Sequence, residues 1–246
     1  MKCFGIVSYY GHAYNGFQRQ KNGLPSIQAE LERALSYALG KETLIKAAGR
    51  TDTGVNAIGQ TFSFSADRLL KLDILNRLLP QDIKVTYLAE CDPSFDARHS
   101  SLGKVYEYRF TTKGRDPFMF GRIAQLEADV FDLNAFEAAL RKFEGKHDFR
   151  NFTTKKEDID GFVRTIETIG FQYDENACMG CVTWKANGFM TYQIRLMMGA
   201  AFKCAFHRLN ADEIPMLIDA CPRRIVSYKA PAEGLYLVEV LYGKRP

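Results

Sequence analysis

The stretch Thr43-Leu44-Ile45-Lys46-Ala47-Ala48-Gly49-Arg50-Thr51-Asp52-Thr53-Gly54-Val55-Asn56-Ala57-Ile58-Gly59-Gln60-Thr61-Phe62-Ser63-Phe64 decides the fold. Thr43 to Ala48 reads as a short strand, and Gly49 to Gly54 as a polar turn. Gln60 to Phe64 alternates like a strand, with Phe62 and Phe64 on one face and Thr61 and Ser63 on the other. The stretch is therefore two strands joined by a glycine-bounded loop that holds the carboxylate of Asp52.

Upstream, Cys3 to Tyr10 is an apolar and aromatic strand, followed by a loop from Gly11 to Gly23. Pro25 and Ser26 announce a helix in which Ile27, Leu31, Ala34, Leu35, Ala38 and Leu39 recur at helical spacing, and Gly40 suits its end. Downstream, a second helix is expected from Asp67 to Leu79, stopping at Pro80, and then a strand from Ile83 to Ala89. The second half repeats this texture. Lys104 to Thr111, Arg164 to Tyr173, Val182 to Ala186 and Leu235 to Tyr242 read as strands. Asn134 to Glu144, closed by Gly145, and Phe189 to Phe206 read as helices, the latter with Ile194, Met197, Met198, Ala201, Phe202 and Ala205 on an apolar face. Two successive sets of strands and helices imply an α/β (α+β) fold of two lobes with mixed or antiparallel sheets. The boundary lies near residues 90 to 104, giving an N-terminal lobe 1–98 that carries the Asp52 loop and a C-terminal lobe 99–246.

Composition narrows the function classes. With 46% hydrophobic and 25% charged residues among 246, the chain can bury a core and is not of disordered type. No apolar run approaches the roughly 20 residues of a membrane helix, and the N-terminus turns polar by Ser8, so a cytoplasmic protein is expected. The net charge of +4 permits nucleic-acid binding without requiring it. Basic pairs are short: Lys155-Lys156, Arg223-Arg224 and Lys244-Arg245. Cys178 and Cys181 form a lone CxxC without the second pair or spaced histidines of a zinc site, and read as part of a hairpin. No phosphate loop, dinucleotide fingerprint, nucleophile elbow or HExxH is present, so neither metal nor nucleotide cofactor is expected.

Chemistry concentrates at Gly49 to Gly54. Two glycines let the backbone turn tightly and approach a ligand, and Thr51 and Thr53 can hydrogen-bond the loop or the carboxylate. Arg50 could hold Asp52 ionised by pairing with it, and an ionised, oriented carboxylate can attack an electrophilic carbon. An Asp that only caps a turn fits the composition too. Asp52-Thr53-Gly54 is also the triplet of aspartic proteases, but those need a second such triplet or a short symmetric partner, and a different residue context before the Asp. On the strand Lys104-Val105-Tyr106-Glu107-Tyr108-Arg109-Phe110, one face carries Lys104, Tyr106, Tyr108 and Phe110, fit either to stack bases or to form a core face. Arg195 follows Thr191 and Tyr192 in an apolar helix and reads as a cation lying along the core edge.

Gly49-Arg50-Thr51-Asp52-Thr53-Gly54-Val55-Asn56-Ala57 closely resembles the GRTDAGVHA motif of the tRNA pseudouridine synthase A (TruA) family. Further motifs follow in the family's order: Tyr9-Tyr10-Gly11 with Gly16-Phe17-Gln18, Leu79 to Val85, and Phe95 to Arg98 with Lys104 to Tyr108. Gly145 to Phe149 with Phe152, Lys185 to Gly199, and Ala230 to Leu237 complete the series. The resemblance implies two α/β lobes sharing an extended sheet with a cleft between them, and a homodimer. It implies conversion of uridine to pseudouridine in the anticodon arm of tRNA, at positions 38, 39 and 40, without cofactor. Asp52 matches the catalytic aspartate, Tyr106 the active-site tyrosine, and Arg195 the arginine that pairs with the aspartate. Arg50 matches an arginine handling the flipped nucleotide, and Leu235 a leucine near the uracil; Gln18 and Asn56 fall at further motif positions taken as substrate-binding. Thr53, Asn56, Asp96 and Thr191-Tyr192-Gln193 depart from the family's residues. A non-catalytic RNA-binding protein of this fold, or a synthase for another RNA, are the alternatives.

Overall fold

The computed structural model describes residues 1–127, 130–157 and 161–243. In chain order the elements are β1 (Lys2–Tyr9), α1 (Ile27–Leu39), β2 (Lys46–Ala47), β3 (Asn56–Ser65), α2 (Leu72–Leu78), β4 (Ile83–Cys91) and β5 (Gly103–Thr111). They continue as β6 (Ala124–Gln125), α3 (Leu133–Arg141), β7 (Gly145–Asp148), β8 (Val163–Asp174), β9 (Met179–Ala186), α4 (Gln193–Ala205), α5 (Ile214–Asp219) and β10 (Leu235–Leu241). The fold is mixed α/β. Two compact units are formed by residues 1–103 with 236–246, and by residues 104–235.

In the first unit β1 lies between β4 and β3, antiparallel to both, and β2 pairs with β3. β10 runs parallel to β3, with Tyr236 opposite Asn56 and Leu237 opposite Ala57. α1 forms as its sequence dictates. The Ser26 hydroxyl accepts from the Ala29 amide at its start, and Gly40 takes the left-handed conformation (φ 70°) at its end. Leu31, Ala34 and Leu35 are fully buried, as their spacing requires.

The second unit is an antiparallel array of β5, β9, β8 and β7, with β6 parallel to β5. Its core is aromatic. Phe136 has its ring centroid 5.4 Å from those of Phe110 and Phe202 and 5.0 Å from that of Phe171. The hairpin expected at the CxxC is present: Cys178 turns at φ 52° between β8 and β9, and Cys181 lies on β9.

Three helices differ from their expected limits. α2 begins at Leu72, because Lys71 before it is extended (ψ 134°). α3 ends at Arg141, where the next residues form tighter turns, Phe143 N to Leu140 O (3.1 Å) and Glu144 N to Arg141 O (3.3 Å). Gly145, at φ 102°, then opens β7 instead of merely ending the helix. α4 begins at Gln193 and not at Phe189, since Gly188 and Tyr192 have φ of 159° and 63°. Nor is α4 amphipathic: every residue from Gln193 to Ala205 except Lys203 is buried. Met197 and Met198 are fully buried within the chain and therefore serve its core.

Candidate active site

The loop between β2 and β3 presents Asp52. Inside the sheet it is anchored by Ala48 N to Thr61 O (2.9 Å) and by the Gln60 side-chain amide to Gly49 O (3.0 Å). Val55 N donates to Asp52 O (3.1 Å), closing a turn in which Gly54 takes φ 78°. A second strut comes from residues 9 to 17. Phe17 N donates to Thr51 O (3.0 Å), and the Tyr9 phenol meets the Thr51 hydroxyl at 2.7 Å. Burial pushes the Tyr9 phenol up, outweighing its hydrogen bonds with Thr51 and Gln60, so it remains protonated. Gly11 N donates to Asn56 Oδ1 (2.8 Å), and a methyl group on Gly11 would fall 2.0 Å from Val55 O. The loop is thus gripped from two directions through backbone and side-chain atoms while Asp52 is only half-buried. A carboxylate on so constrained a backbone is preorganised.

The other expected residues of this unit behave differently from one another. Arg50 is exposed, and among the described residues no ion pair joins it to Asp52, so the pairing the sequence allowed is not formed. Gln18 is half-buried, with its carbonyl accepting from the Gln20 side-chain amide (2.9 Å). Asn56 is buried, and its side-chain oxygen is committed to Gly11, a structural duty that its place in a functional motif hid.

In the second unit, Tyr106 on β5 is buried, its ring edge-on to Phe189 at 5.4 Å and 87°. Tyr108 and Phe110 on the same face are completely buried, so that face is a core face and not a stacking platform at those two residues. The Tyr108 phenol donates to Pro231 O (2.8 Å). Burial, with Glu233 adding, raises its pKa against the opposing effect of Arg195.

Arg195 lies deeper than the core edge that its place beside an apolar stripe suggested. Only 9% of it is exposed. Its Nε donates to Ala230 O (2.8 Å), and Ala230 N donates back to Arg195 O (2.9 Å). One turn on, a methyl on Gly199 would lie 1.8 Å from Tyr228 O. Residues 228–230 therefore form a strap seated on α4, which fixes the guanidinium. The strap continues to Leu235, buried at the start of β10, whose amide donates to Ala232 O (3.0 Å). No local pattern foretold the strap, since it joins segments some 35 residues apart, the separation of the Arg195 to Ala230 bond.

Of the basic pairs, Arg223 is structural. It donates to the carbonyls of Arg150 (2.9 Å), Thr153 (2.9 Å), Lys155 and Lys156 (3.3 Å), and lies over the Phe162 ring. Lys156 and Arg224 are exposed and Lys155 half-buried, while Lys244 and Arg245 lie outside the described residues. Among the described residues no group of three or more His, Cys, Asp or Glu could hold a metal ion, and no helix is long and apolar enough to cross a membrane.

A family model described as tRNA pseudouridine synthase matches residues 139–243. A tRNA pseudouridine synthase A of Geobacillus sp. (strain WCH70) is 35% identical over 259 residues, covering 98% of this chain and 98% of that one. The chain belongs to the tRNA pseudouridine synthase A family. Members from Coprothermobacter proteolyticus and Acetivibrio thermocellus are each 32% identical, covering 98% and 96% of this chain and 92% and 98% of their own. The enzymes of this family are isomerases acting on uridines of tRNA. Likeness over nearly the whole length takes in the Asp52 loop as well as the α4 strap.

Proposed function

We propose that this protein isomerises uridine to pseudouridine in the anticodon arm of tRNA, at positions 38, 39 and 40, with Asp52 as its catalytic carboxylate. The observation that carries this reading is the loop around Asp52, gripped through Thr51, Val55 and Asn56 so that the carboxylate is held without being enclosed.

The reaction breaks the bond from ribose C1′ to uracil N1, turns the base, and joins C1′ to C5; N1 gains a proton and C5 loses one. The base must leave its stack to reach a protein side chain. Two routes suit the carboxylate of Asp52: attack at C1′, or removal of the C2′ proton to give a glycal. Tyr106 packs on the flipped base, and Arg195 holds the aspartate charged. Arg50, exposed beside Asp52, contacts the nucleotide, with Gln18, Asn56 and Leu235 shaping its surroundings. The chemistry needs no cofactor from outside. A cytoplasmic location and a homodimer belong to the same reading.

The test is to treat unmodified tRNA transcript with the protein and map pseudouridine by carbodiimide treatment and primer extension. Stops confined to positions 38 to 40 support the reading. Stops elsewhere in tRNA, or in another RNA only, overturn its choice of substrate.

A further inference from the structure

Three unusual features meet where α4 begins. Tyr192 takes φ 63° and ψ 1°, a left-handed conformation that costs a non-glycine residue energy and tends to be kept where function requires it. Next to it, Gln193 is completely buried, and its side-chain nitrogen has no hydrogen-bond partner among the described residues. Its side-chain oxygen is occupied by the Met190 amide (2.9 Å). Third, the Tyr192 ring carries two cations: the Arg195 guanidinium at 5.4 Å and the Lys229 ammonium at 4.4 Å from its centroid.

The strain has a purpose that packing does not supply. Tyr192 is only half-buried, so its ring is not needed to fill the core. The Thr153 hydroxyl donates to Thr191 O (2.9 Å), and Leu196 N donates to Tyr192 O (2.9 Å), which hold the backbone on both sides of the ring. An aromatic face attracts cations electrostatically and orients a planar guanidinium in particular. Arg195 is tethered at Nε by Ala230, and the Tyr192 ring lies against its guanidinium, so the ring adds a second restraint on that group. Lys229 stands beside Ala230 in the strap and is exposed, its ammonium resting against the edge of the site on the Tyr192 ring.

We propose that Tyr192 is a positioning residue for Arg195 and that Lys229, held on the same ring, binds a backbone phosphate of the substrate RNA. The inference rests on the function proposed above. Arg195 then acts as a fixed charge, and Lys229 secures the strand on which the target uridine lies.

The test uses the full chain and four variants: Tyr192→Phe, Tyr192→Leu, Tyr192→Gly and Lys229→Ala. Tyr192→Phe keeps the ring and retains most of the wild-type kcat. Tyr192→Leu and Tyr192→Gly lose the ring, and kcat falls roughly 3- to 30-fold, as the strength of such contacts dictates. Because glycine suits φ 63°, Tyr192→Gly keeps or raises the melting temperature while losing rate. Lys229→Ala weakens tRNA binding and lowers the slope of log affinity against log salt by roughly 0.7–0.9. The Arg195 Nε–H resonance, sharp in the wild type and in Tyr192→Phe, broadens in the Leu and Gly variants. Wild-type kcat in Tyr192→Gly, an unchanged Arg195 signal in it, or an unchanged salt slope in Lys229→Ala overturns the proposal. A wild type inactive on tRNA that still shows the resonance pattern overturns the functional reading alone.

Discussion

The Tyr9 phenol and the Thr51 hydroxyl, both buried, lie 2.7 Å apart and tie β1 to the residue immediately before Asp52. Removing the phenol in Tyr9→Phe leaves the Thr51 hydroxyl without this partner at a buried place. The expected cost is about 1–2 kcal/mol in urea unfolding. A loosened Asp52 loop also lowers kcat more than it changes KM, since small misplacements of a reacting group are costly. Equal stability and kcat in Tyr9→Phe would show that the loop is held by its other bonds.

Gly11 makes a close backbone approach to this loop, such that a methyl group there would sit 2.0 Å from Val55 O. Gly11→Ala must push Val55 away, and with it the turn closed on Asp52. It is expected to lose about 1–3 kcal/mol, as overpacking usually does, and most of its activity. Thermal melting and single-turnover rates check the two effects separately.

Gly199→Ala sets two effects against each other. Alanine inside a helix is favoured over glycine by about 1 kcal/mol. Here its methyl would lie 1.8 Å from Tyr228 O, and relieving that overlap costs about 1–3 kcal/mol. The strap should win, so the melting temperature falls. Because the strap also tethers Arg195 through Ala230, kcat falls with it.

Asp96 provides a test in acid. Burial raises its pKa, but the His99 amide, Lys46 and the Arg98 amide together outweigh burial and bring it to about 2, below the usual 3.8. A carboxyl held below its unfolded value stabilises the fold above that value. Its contribution, at most about 2 kcal/mol, is therefore full above about pH 4 and disappears as pH falls toward 2. Asp96→Asn should lose this amount at neutral pH and show a flatter acid limb in unfolding. An unchanged acid limb would show that Asp96 contributes nothing to acid stability.

How far the sequence could be read depends on how local each cause is. α1 was legible at both ends because Ser26 caps it and Gly40 turns out of it, both within a turn of the helix. The start of α4 was not, because Phe189 to Tyr192 is as apolar as the helix while its backbone is bent by Gly188 and Tyr192. Asp52 stood out through its glycines, yet the struts from Tyr9, Gly11 and Phe17 come from some 34 to 45 residues away, as the Tyr9–Thr51 and Gly11–Asn56 bonds show. The same holds for β10, which joins β3 across most of the chain. Arg195 misled because an arginine in an apolar helix lies at the edge unless something covers it, and what covers it is the distant strap.

The central claim is that the Asp52 carboxylate carries the reaction. The most direct measurement is single-turnover tritium release from tRNA transcript labelled at C5 of uridine, comparing the wild type with Asp52→Asn at matched tRNA affinity and melting temperature. The expected result is release by the wild type and a fall of roughly 10⁴-fold or more in Asp52→Asn, the scale on which loss of a nucleophile acts. Release by Asp52→Asn within a few fold of the wild type would contradict it.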